Sequence, residues 1–92
     1  MTNDDFIVKA AKALGDKNRL KIVKELAKRG TMNCSETEKL TSLAQPTMSH
    51  HIQLLVESGL VSVEKDGRTS ILSLNQKNIE ALTVFLGKVA DA

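Results

Sequence analysis

A mainly helical fold with one small β-hairpin, an α+β arrangement in the order ααααββα, is predicted by three features of the 92-residue sequence. Apolar residues recur every three to four positions through the first two thirds of the chain and again at its end. Between those stretches the period falls to two, in short runs either side of Asp66-Gly67. Each periodic stretch is bounded by residues that start or stop helices.

The first helix spans about residues 4–14, with Phe6, Ile7, Ala10, Ala11, Ala13 and Leu14 at helical spacing and Asp4 and Asp5 at its dipole-favoured start. Gly15-Asp16 interrupts it, and Asp16 suits the N-cap of a second helix reaching about Arg29. Leu20, Val23, Leu26 and Ala27 form that helix's expected inner stripe, with Ile22 beside it and Lys28-Arg29-Gly30 as the stop. A short third helix is expected over about Ser35 to Leu40, with Ser35 and Glu38 spaced as a capping box, followed by a turn at Thr41-Ser42. The fourth begins near Gln45-Pro46, where proline's missing N–H is not needed, turns Met48, Ile52, Leu55 and Val56 inward, and stops at Ser58-Gly59.

Val61 and Val63 then alternate with polar residues, as do Ser70, Leu72 and Leu74, and Asp66-Gly67 between them predicts a type I′ hairpin turn. A last helix over about residues 76–89 carries Ile79, Leu82, Phe85, Leu86 and Val89, a face that Ala81 and Val84 widen beyond what one small core needs.

At this length one domain over residues 1–92 is expected, marginally stable alone because a small globule buries a modest share of its surface. The composition, 41% hydrophobic and 26% charged, is that of a soluble globule rather than a disordered chain. No apolar run approaches a membrane span, and the acidic start MTNDDF is unlike a secretion signal. The single cysteine, Cys34, fits a reducing cytoplasm. Charge is uneven: residues 1–30 carry eight basic and four acidic groups, residues 31–59 one and three, and residues 60–92 four of each. With Phe6 and Phe85 the only large aromatics, both within helical patterns, no platform for stacking single-stranded bases is on offer. Enzymatic activity is not expected, since there is no phosphate loop, no acid–base pair and too little core to enclose a pocket.

A short helix, a tight turn, an amphipathic helix and a β-hairpin make a winged helix-turn-helix. The segment ALGDKNRLKIVKEL, followed by AQPTMSHHIQLLVESGLVSVEKDGRTSILSL, resembles the ArsR/SmtB family of bacterial winged helix-turn-helix repressors over about residues 10–75. Lys17 stands where the family often has proline, Leu72 where an aromatic is frequent, and Ala44 where a capping serine is usual; the turn before the recognition helix is one residue longer than the commonest spacing. The resemblance implies a homodimer built from the two terminal helices, a reading the chain's small size also favours.

The residues support double-stranded DNA as partner. Gln45, Thr47, Ser49, His50 and Gln53 lie off the apolar stripe of the fourth helix, and such side chains read base edges or bond phosphates in the major groove. That helix has no Lys or Arg, so phosphate contacts fall to Lys39 on the third helix and to Lys65 and Arg68 at the wing, with Lys17 or Arg19 as further candidates. The alternative is that these polar groups merely face water, and that the domain is a protein-interaction module that does not bind DNA. The expected dimer seam is Phe6, Ile7, Ala10, Ile79, Leu82, Phe85, Leu86 and Val89.

No metal and no cofactor are expected. His50 and His51 point about 100° apart on a helix and cannot easily share one ion. Many members of the resembled family sense metals through paired cysteines near the third helix or an Asp/His/Glu set on the last. Here Cys34 is alone and the last helix has no histidine. Cys34 reads as a small half-buried residue or as a redox-reactive thiol at a helix start, and no inducer is legible.

Overall fold

The computed structural model describes residues 3–92. Five helices, α1 (Asn3–Leu14), α2 (Lys17–Arg29), α3 (Cys34–Thr41), α4 (Gln45–Glu57) and α5 (Gln76–Ala90), surround a three-stranded antiparallel sheet of β1 (Thr31–Asn33), β2 (Val61–Asp66) and β3 (Thr69–Leu74). The hairpin β2–β3 is the wing, and β1 lies on the other side of β3 in the order β1-β3-β2. Strand β1 was not expected. It holds one apolar residue, Met32, too little for a local signal, and it is a strand because Met32 pairs with Leu72, forty positions on.

The core is Ala10, Ala13, Ile22, Leu26, Met32, Met48, Leu55, Leu60, Val61 and Leu72, so α1, α2, β1, α4 and the wing base each contribute. Several phases differ from the sequence reading. On α2 the buried residues are Ile22 and Leu26, Leu20 is 43% exposed and Ala27 is exposed too, because α3 and α4 cover a side rotated from the expected stripe. On α4, Met48 and Leu55 are buried and Ile52 half-buried, but Val56 lies at the margin and is exposed.

Capping explains most boundaries. Asp16 caps α2, its Oδ2 accepting from the Asn18 N–H at 2.9 Å and the Arg19 N–H at 3.0 Å. Helix α3 starts earlier than expected, because Asn33 rather than Ser35 is its cap. The Asn33 Oδ1 accepts from the Glu36 N–H at 2.9 Å while the Glu36 carboxylate accepts from the Asn33 N–H at 2.9 Å, a reciprocal box displaced two residues from the expected one. Arg29 ties this start to α2, bonding Glu25 at 2.9 Å and Glu36 at 2.8 Å.

In the wing, Asp66 pairs with Thr69, so the two-residue loop is Gly67-Arg68. Only Gly67 takes a positive φ, 64°, which suits a type II′ turn with glycine first rather than the expected type I′. At the wing base, Gly59 has φ 86° and lies against Asn78, which a Cβ would approach to 2.9 Å. That approach lets the Asn78 Nδ2 donate to the Gly59 carbonyl at 2.8 Å and fastens the start of α5 to the turn after α4.

Candidate nucleic-acid interface

Helix α4 buries one side and leaves the other free. Gln45, Thr47, Ser49, His50 and Gln53 are all exposed, whereas Met48 and Leu55 are buried. The expected reading surface is therefore on one helix and accessible. Gln53 is not free, since its Nε2 donates to the Glu57 carboxylate one turn on at 2.9 Å, a partner that sequence reasoning missed although the i, i+4 spacing was visible. Lys39 on α3 and Lys65 and Arg68 on the wing are exposed and have no ion-pair partner among the described residues. Their charges stand available on both sides of α4 in the chain.

Arg19 behaves differently from the phosphate-contact candidate it was in sequence. Its Nε donates to the Ala13 carbonyl at 2.8 Å and its Nη2 to the Lys12 carbonyl at 3.2 Å, which gives the last carbonyls of α1 a side-chain donor beyond the Gly15 N–H that Lys12 already accepts. Its Nη1 lies 3.0 Å from Nδ1 of His51 on α4. The guanidinium is turned inward. His51 correspondingly packs at the inner margin of the helix, its side chain 12% exposed, while His50 faces out. Asp16 Oδ2 is 3.8 Å from the same His51 nitrogen. The Arg19 backbone N–H that Asp16 accepts holds its carboxyl below the usual value, helped by the Asn18 N–H and by the Arg19 guanidinium, against a smaller opposing effect of burial.

Cys34 is the half-buried first residue of α3. Among the described residues, no three His, Cys, Asp or Glu side chains converge closely enough to hold a metal ion. Cys34 is the one cysteine of the sequence, and α5 contains no histidine.

The expected dimer seam divides. Ala10 is fully buried in its own chain, so it has no surface to offer a partner and belongs to the core. Phe6, Ile79 and Leu82 are half-buried against that core, and Ile7 is half-buried too. Farther along α5, Val84, Phe85, Leu86 and Val89 are 57%, 36%, 55% and 56% exposed.

A helix-turn-helix with a β-wing that leaves a polar helix face exposed has the architecture of a helix-turn-helix regulator. Residues 14–64 match the family described as the helix-turn-helix domain. The chain is 31% identical over 71 residues to the arsenical resistance operon repressor of Bacillus subtilis, covering 77% of this chain and 68% of that one. It superposes with a TM-score of 0.85 on the ArsR family transcriptional regulator RHA00566, at 25% identity and covering 96% of this chain and 90% of that one. A homodimeric winged helix-turn-helix DNA-binding domain from Mycobacterium bovis matches with a TM-score of 0.75, 26% identity, and coverage of 95% and 80%. The chain belongs to the ArsR family of winged helix-turn-helix transcriptional regulators. The relatives it matches are transcriptional regulators rather than enzymes.

Proposed function

We propose that this protein is a homodimeric, sequence-specific DNA-binding repressor that occupies a pseudo-palindromic operator, a single domain whose terminal helices form the dimer interface. One observation carries the reading: the polar face of α4 is exposed in a winged helix-turn-helix whose α3 and wing carry exposed Lys39, Lys65 and Arg68, without ion-pair partners among the described residues. The relatives add weight, one being an operon repressor and one a homodimeric DNA-binding domain. Each α4 would enter a major groove, the two about one DNA turn, roughly 34 Å, apart. Gln45, Thr47, Ser49, His50 and Gln53 would face base edges, and Lys39, Lys65 and Arg68 would face phosphates. Phe6, Ile7, Ile79, Leu82, Phe85, Leu86 and Val89 would line the seam. Regulation would use no metal at the family's usual positions, and the protein would work in the cytoplasm. Among the described residues no helix is long and apolar enough to cross a membrane.

Genomic footprinting of the tagged protein tests this reading and recovers the operator. On that duplex, Ser49→Ala or His50→Ala should weaken specific binding more than binding to random DNA, by about 1–3 kcal/mol for a good base contact. Arg68→Ala should weaken both and lower the salt slope by ~0.9 for each phosphate released. A second reading, a protein-interaction module, is favoured by the absence of Lys and Arg from α4. A folded dimer with no affinity for any duplex at low salt would establish it.

A further inference from the structure

Helices α2, α3 and α5 each begin under a side-chain cap, from Asp16, Asn33 and Asn75, whereas Ala44 gives α4 none. The proposed DNA-reading residues nevertheless sit in the first three turns of that uncapped helix. Apolar packing through Met48, Ile52 and Leu55 keeps α4 on the core but has little directional preference. A hydrogen bond does have direction, and Arg19 to His51 is the one side-chain hydrogen bond that joins α4 to another helix among the described residues.

We infer that Arg19 and His51 are positioning residues that fix the rotation of α4 against the end of α1, in a helix whose start has no side-chain cap. This rests on the DNA-binding reading above and adds to it how the reading helix is held. A guanidinium has only donors, in a rigid planar fork, so His51 Nδ1 accepts and the neutral ring carries its proton on Nε2. The same fork holds the Lys12 and Ala13 carbonyls at 3.2 and 2.8 Å. One planar group thus spans the last turn of α1 and the second turn of α4. Asp16, whose backbone neighbours it also caps, faces the ring from the α1–α2 junction, and His50 lies beside it with ring centroids 6.3 Å apart. Recognition geometry of this kind tolerates errors of about 0.5 Å and 10–20°, so a slackened α4 loses base contacts without losing its fold. Because α1 also belongs to the proposed seam, the pair ties the orientation of α4 to the dimer.

The test compares His51→Leu, which keeps bulk without an acceptor, with His51→Asn, whose Oδ1 can take the place of Nδ1. On the footprinted duplex, His51→Leu should bind about tenfold more weakly and His51→Asn within about threefold of wild type, both as dimers, since one hydrogen bond to a charged donor is worth about 1.5 kcal/mol or more. Amide exchange should rise across Met48–Gln53 in His51→Leu and stay unchanged at Ile22–Leu26. Without any variant, ring nitrogen NMR of the wild type should show the Nε2–H tautomer of His51. Equal binding by the two variants, unchanged exchange in α4, or the Nδ1–H tautomer would each overturn the inference. If the wild type binds no duplex, the DNA reading falls, and the exchange and tautomer results decide the pair by themselves.

Discussion

Helices α4 and α5 are both amphipathic and of comparable length, yet they use their apolar faces in opposite ways. Helix α4 meets α1, α2, α3 and β2, and buries Met48 and Leu55 completely or nearly so. Helix α5 buries no residue fully. Its first turns are held by Asn78 on Gly59, and by the Asn75 N–H donating to the Leu60 carbonyl at 2.9 Å. Its last turns run past the core with Val84, Phe85, Leu86 and Val89 uncovered. An apolar stripe therefore predicts a helix with something to cover, but not whether its own chain or another will cover it.

The contrast can be broken most strongly at the core end. Leu55→Ala removes a fully buried side chain from α4 and should cost about 2–5 kcal/mol, read as a lower thermal or urea midpoint. A variant as stable as wild type would show that α4 does not support the core. On α5, Leu86→Lys with Val89→Lys should leave the helical circular dichroism in place and convert a dimer to a monomer by light scattering, because both side chains are exposed in the single chain. A double variant that remains dimeric would remove α5 from the seam, and one that unfolds would make α5 a core element like α4.

The smallest expected effect lies at the junction serving both sides. The Asp16 carboxyl is held below its usual value in the folded protein, so its contribution is complete above the ordinary carboxylate range and is lost as pH falls through the lowered value. Asp16→Asn keeps a capping side chain but cannot titrate. It should cost only a few tenths of a kcal/mol near neutrality, since Asn caps about as well as Asp, and should flatten the acid limb of the stability curve. An unchanged acid limb would show that other carboxylates govern it.

Much of this architecture is written locally. Asp16, Gly30 and Pro46 mark where helices begin and end, and the period change near residue 60 marks the wing. Nearest-neighbour chemistry sufficed there because a cap or a turn is satisfied within a few residues of itself. The exposed row Gln45, Thr47, Ser49, His50 and Gln53 was legible for the same reason, being the complement of a helical apolar stripe.

What tertiary structure decided involves partners distant in sequence. Met32 extends a strand because Leu72 is opposite it, and Ile22 rather than Leu20 faces inward because of where α3 and α4 pack. Ala10 left the expected seam for the core, since its exposure depends on neighbours from other elements. Arg19 and His51, 32 positions apart, became partners only when α1, α2 and α4 met. Sequence alone thus determined the elements and the polarity of their faces, because both follow from local periodicity and capping. Which face meets which neighbour, and which charged group turns inward, depended on contacts that exist only once the chain has closed on itself.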